Sequence, residues 1–176
     1  MLSTTFAMIK PEAVAMPHIT KVIWDEILAN ELEIIGAKRL YMSRNIAEKL
    51  YSAHEDKFFY DRLIQHVISG PVIVMKLGCA TGNAVERWRA LMGPSKMLRT
   101  FQSQNSSSLR ARFALSDTRN LVHGADSQQT ANYELSLFAP YPKIHLERML
   151  EKLLPEYEEE YRHRKLGTWT GLRLDF

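Results

Sequence analysis

The chain has 176 residues and a mass of 20.3 kDa, is 45% hydrophobic and 24% charged, and carries a net charge of +3. That size predicts one domain with its own core, and the balance excludes disordered and collagen-like chains. The mild basic excess suits an anionic small molecule as well as nucleic acid, and the single cysteine, Cys79, excludes an intrachain disulfide and predicts a reducing compartment.

Met1 to Phe6 lacks the charged and apolar regions of a secretory signal and the Arg-rich character of a mitochondrial presequence. Thr4 to Ile9 is partly β-branched and aromatic and is closed by Lys10-Pro11, which predicts a strand that stops at the proline. Ile19, Val22, Ile23, Ile27 and Leu28 then recur at helical spacing and predict one buried helix face. Glu33 to Met42 reads as a second strand, with Gly36 as a bulge. Ser43 predicts the N-cap of a helix through Ile46, Leu50 and Tyr51, and Phe59 to Ile68 continues as a further helix. Gly70-Pro71 ends it before the strand PVIVMKL. The apolar run from Pro71 to Met75 is far short of the ~20 residues a bilayer requires, so no membrane span is expected.

Asn83 predicts the cap of the helix AVERWRALM, which Gly93-Pro94 stops. From Ser95 to Ser108 the pattern becomes polar and predicts a long loop. Leu121-Val122 reads as a short strand leading into His123, and Ser127 caps a last helix through Ala131, Glu134, Leu135 and Phe138, stopped by Pro140. The element order predicts an α+β fold, a ferredoxin-like sandwich with a four-stranded antiparallel sheet and helices over one face. Residues 1–140 form the predicted domain, and 141–176 a C-terminal extension packing on it or trailing from it. In that extension, Arg162, Arg164 and Lys165 stand beside the acidic run Glu156 to Glu160, which reads as a solvated tail rather than a nucleic-acid surface.

Polar residues concentrate between Arg110 and Ser127, where Arg110, Arg112, Arg119, Asn120, His123 and Asp126 gather. A histidine followed by glycine, between a strand and a helix cap, puts its ring at an element end with little steric cover. Glu134, further along the following helix, could fold back onto one ring nitrogen and leave the other free, as a nucleophilic histidine requires. Of the six histidines, His18, His54, His66, His145 and His163 read as surface or satisfied core residues. His54, Glu55 and Asp56 match no zinc spacing and read as a solvated helix end.

Four segments together resemble the nucleoside diphosphate kinase family from about Thr5 to Pro140: KPEAV after the first strand, SGPVIVM, WRALMGPS and RNLVHGADS, in that order. HEDKFFYDRL and LMGPS are most similar to its divergent nucleoside diphosphate kinase 6 branch. The resemblance implies that His123 takes the γ-phosphate of a nucleoside triphosphate and passes it to a nucleoside diphosphate, a ping-pong cycle, while Glu134 holds the ring. It implies phosphate contacts from Lys10, Arg89 and Arg110 and from Tyr51, Ser95 and Asn120, with Ser95 keeping the hydroxyl of the usual Thr. Mg2+ would be held mainly by the nucleotide's own phosphates. Phe59 would stack on the base beside Leu63, although an aromatic in FFY at a helix start is core as readily as platform. Stacking reads no hydrogen-bonding edge, so all four bases should be accepted.

The chain also departs from the family pattern. Ala125 stands where most members have Ser, Phe58 replaces a common Pro, and Asp117 replaces an apolar or basic residue. The segment between Ser95 and Arg110 is longer than in typical members, where it supports the nucleotide pocket and trimer contacts, and the tail has no counterpart in short members. These changes predict an assembly smaller than a hexamer, a monomer or a homo-oligomer such as a dimer, and they keep open an alternative in which the chain is a weakly active or inactive scaffold for a protein partner. An intracellular, cytoplasmic setting is expected, with mitochondria the alternative that the branch suggests.

Overall fold

The computed structural model describes residues 1–96, 98–104, 107–145 and 148. Strand β1 (Ser3–Ile9) is buried continuously from Thr5 onward because both of its faces are covered. Ala7 and Ile9 face one apolar cluster, and Phe6 and Met8 face another. This is the period-two alternation of a strand sandwiched between two layers.

Pro11 begins a short helix, α1 (Pro11–Val14), which composition alone did not reveal, and Pro17 begins α2 (Pro17–Ala29). Proline suits both starts, because the first helical residue needs no amide donor. Ile19, Ile23, Trp24 and Ile27 of α2 are buried, but Leu28, expected on the same face, is 52% exposed at the rim. The line through Ile19, Ile23 and Ile27 already fills the contact with the sheet. Strand β2 (Glu33–Tyr41) has its bulge between Ile34 and Gly36. A Cβ at Gly36 would lie 2.2 Å from the Tyr141 carbonyl oxygen, so the chain leaving the last helix can cross there only over a glycine.

Helix α3 (Arg44–Leu50) starts at Ser43, whose hydroxyl accepts from the Ile46 amide at 3.3 Å, and α4 (Tyr60–Val67) follows after a 3-10 turn, Ser52–His54. Strand β3 (Pro71–Cys79) leads to α5 (Ala84–Met92), capped by Asn83, whose side-chain oxygen accepts from the Val85 and Glu86 amides. Gly93, at φ +81°, ends α5.

The segment from Ser95 to Ser108, expected as a loop, contains a helix, α6 (Leu98–Ser103), and Ser108 caps the next, α7 (Leu109–Phe113). Neither helix has a long apolar stripe; α6 packs against α7, and tertiary contact supplies what periodicity does not show. Strand β4 (Val122–Gly124) and helix α8 (Gln128–Phe138) complete the fold.

The sheet order is β2-β3-β1-β4, with every neighbouring pair antiparallel. This is the ferredoxin-like α+β arrangement. The expectation of helices over one face is corrected: α2 and α5 cover one side, while α3, α4 and α8 contribute to the apolar cluster on the other. The acidic and basic runs expected in the C-terminal extension lie outside the described residues.

Candidate active site

His123 is the middle residue of the short strand β4, held in register opposite Met8 of β1. Its backbone carbonyl accepts from Trp88 Nε1–H of α5 at 3.1 Å, so the strand is anchored from below as well as from the side. Its ring lies edge-on to Tyr51 at a centroid distance of 5.3 Å and tilted against Phe6 at 5.9 Å. Glu134 reaches from α8 and places Oε1 3.0 Å from His123 Nε2. A carboxylate only accepts, so Nε2 carries the ring proton and Nδ1 keeps an unshared electron pair. The His123 side chain is 15% exposed while that of Glu134 is 4% exposed, so the holder is buried and the held ring has an open edge.

Two buried atoms beside this pair have no hydrogen-bond partner: Glu134 Oε2 and the Tyr51 hydroxyl. Burial, then the charges of Glu134 and Glu12, push the Tyr51 hydroxyl far above its ordinary range, so it remains a protonated donor. Ala125 is buried with Val85 and with Ala131, one helical turn before Glu134.

Lys10 follows β1 and is buried; its ammonium donates to Asn120 Oδ1 at 2.7 Å and to the Thr118 carbonyl at 3.2 Å. Burial lowers its pKa to about 7; Glu12 opposes the shift and Arg110 adds to it. Arg110 is buried and gives three of its donors to backbone carbonyls: Asn120 at 3.2 Å, Gly93 at 2.8 Å and Val122 at 2.8 Å. It therefore braces the segment before His123 while contributing charge to the cleft. Arg89, exposed in the last turn of α5, acts on Arg110 as a like charge, and Ser95 is exposed in the bend after Pro94.

The opposite wall is built from α3, the 3-10 turn and α4. Tyr51 ends α3, Phe59 precedes α4, and Leu63 is buried in the same apolar cluster as Tyr51. The rings of His54 and Phe59 lie 5.7 Å apart, and those of Tyr51 and His54 6.4 Å apart. His54 is exposed, as expected of a surface residue, and its ring also joins an aromatic row running from Phe59 to His123. Phe58 is 90% exposed, edge-on to Phe59.

His123, Glu134, Tyr51, Lys10, Asn120 and Arg110 are therefore brought around one centre, with Phe59 and Leu63 on a separate wall. Sequence reasoning did not single out Glu12 or Trp88, although both lie inside segments it quoted. Only their partners, distant in the chain, reveal them.

The family model for nucleoside diphosphate kinase matches residues 3–144. The chain belongs to the nucleoside diphosphate kinase family. Nucleoside diphosphate kinase 6 of Homo sapiens is 38% identical over 139 residues, 79% of this chain and 73% of that protein. The protein of the same name from Xenopus tropicalis is 36% identical over 174 residues and covers 94% of both chains. A nucleoside diphosphate kinase of Desulfovibrio desulfuricans is 38% identical over 138 residues, 78% of this chain and 94% of that one. The nucleoside diphosphate kinase 6 branch is thus the family branch that this chain resembles. The crystal structure of the Aquifex aeolicus nucleoside diphosphate kinase superposes with a TM-score of 0.71 over 79% of this chain and 96% of its own, at 24% identity, which supports the shared fold. No helix among the described residues is long and apolar enough to cross a membrane.

Proposed function

We propose that this chain transfers the γ-phosphate of a nucleoside triphosphate to a nucleoside diphosphate through a phosphohistidine at His123. The observation that carries the reading is the pairing of His123 Nε2 with buried Glu134, which leaves Nδ1 open on the short strand β4. The Nδ1 electron pair forms a bond to the γ-phosphorus, and the bond from that phosphorus to the β,γ-bridging oxygen breaks, its electrons leaving on the nucleoside diphosphate. A second diphosphate then occupies the same cleft, and its terminal oxygen reverses the step.

Charge that develops on the non-bridging oxygens would meet Lys10, Arg89 and Arg110, with Tyr51, Ser95 and Asn120 as hydroxyl and amide contacts. The base would rest against Phe59 and Leu63, which distinguish bases only by shape. Among the described residues no group of three acidic, histidine or cysteine side chains is placed to hold a metal. The site is rich in cations and neutral donors, a donor set that fits Mg2+ arriving on the nucleotide's phosphates. Bound in that way, Mg2+ supplies charge neutralisation along the polyphosphate.

The proposed setting is the reducing cytoplasm, in line with the single free, buried Cys79. Incubation with labelled ATP and unlabelled CDP tests the reading. Labelled CTP should form, with the parallel double-reciprocal lines of a ping-pong enzyme. Nucleotide binding with no transfer would favour the partner-binding scaffold, the role toward which Ala125 and the unpartnered Glu134 oxygen point.

A further inference from the structure

Glu12 follows Lys10 and Pro11 in the short helix α1, and its two carboxylate oxygens face different parts of the fold. Oε1 accepts from the Leu121 amide at 2.8 Å. Oε2 lies 2.6 Å from His66 Nε2 in the last turn of α4. The side chains of His66 and Glu12 are only 13% and 10% exposed.

Leu121 is an unusual residue to hold. Its φ of +80° is in the left-handed region that a branched side chain rarely adopts. Its carbonyl accepts from the Lys10 amide at 2.9 Å, so the segment Lys10-Pro11-Glu12 grips Leu121 on both sides. Leu121 stands between Asn120, which holds the Lys10 ammonium, and Val122, whose carbonyl takes Arg110; His123 comes next. At its other end, the tie reaches the helix that begins after Phe59 and carries Leu63 one turn before His66. Burial pushes the Glu12 carboxyl upward, but the hydrogen bond and charge of His66, the Leu121 amide and Lys10 outweigh it and hold the group below the ordinary carboxylate range.

We infer that Glu12 is a positioning residue that sets the span between the phosphate-reacting centre at His123 and the base-holding wall of α4, with His66 as its anchor on that wall. This rests on the proposed placement of a nucleotide across the two. A nucleotide binds such a cleft as two linked halves, so its affinity depends on the distance between the subsites, whereas a ligand that fills only the phosphate half does not sense it.

The test compares calorimetric affinities for ADP and for pyrophosphate in the wild-type chain, His66→Leu and His66→Gln. Leucine removes the donor, while the glutamine amide can place a nitrogen near the position of Nε2. His66→Leu should bind ADP about tenfold more weakly and pyrophosphate within about twofold of wild type, and His66→Gln should recover most of the ADP affinity. If the leucine variant does not fold, His66→Asn, whose amide is too short to reach Glu12, takes its place against His66→Gln. Unchanged ADP affinity, or an equal loss for ADP and pyrophosphate, would overturn the inference. A wild-type chain that binds ADP but never transfers phosphate would defeat the proposed activity and leave the span measurable.

Discussion

Lys10 has the most consequential titration in the site. With its pKa lowered by burial to about 7, the empty site holds it largely neutral at about pH 8. A bound phosphate group favours the ammonium, so nucleotide binding at that pH should take up a proton. Binding should therefore weaken as pH rises above 7, because the proton becomes harder to acquire. Calorimetry of ADP binding in two buffers of different ionisation enthalpy should show an uptake that Lys10→Met abolishes; equal enthalpies in both buffers for the wild type would contradict this. Ala125 makes a second prediction at this scale. The family resemblance implies a serine hydroxyl at position 125 that helps hold the Glu134–His123 pair, so Ala125→Ser should restore a contact worth ~0.5–1.5 kcal/mol and speed transfer about threefold to tenfold. A gain above about a hundredfold would show that the missing hydroxyl is the dominant defect. The pairing of His123 with Glu134 was legible in the sequence because a His-Gly step and a helix cap are local signals. Glu12 and His66 were not, because their meaning depends on a contact between residues far apart in the chain.

Among the elements, β4 is the shortest strand and the one on which the site depends most. It is held by β1 along one edge and by Trp88 of α5 beneath. Gly124 is where that support is tightest: a Cβ would lie 2.5 Å from the Trp88 ring and 2.7 Å from the Met92 methyl. Gly124→Ala should therefore destabilise the fold by roughly 1–3 kcal/mol and displace His123. The urea midpoint should fall and phosphotransfer should drop further than stability alone explains; an unchanged midpoint would contradict the packing argument. The caps Ser43, Asn83 and Ser127 and the bulge at Gly36 were readable because each is local backbone chemistry. Helix α6 was not, since its six residues LRTFQS carry no amphipathic repeat and it is stabilised by packing on α7.

On the scale of the whole molecule, the antiparallel order was readable in outline, but coverage of both sheet faces was not. The continuous apolar runs of β1 and β3 are the clue that should have suggested it, because a strand exposed on one face alternates. The segment that carries α6, which the family resemblance implies is longer than in typical members, bears on assembly. If it replaces the trimer contacts implied by the family resemblance, light scattering should give a monomer or dimer mass, and a stable hexamer would refute that reading. The central claim concerns one atom, the open Nδ1 of His123. Incubation of the full chain with γ-labelled ATP should give an acid-labile, base-stable phosphoprotein, with the label absent from His123→Ala. Equal labelling of that variant, or no labelling of the wild type, would contradict the account.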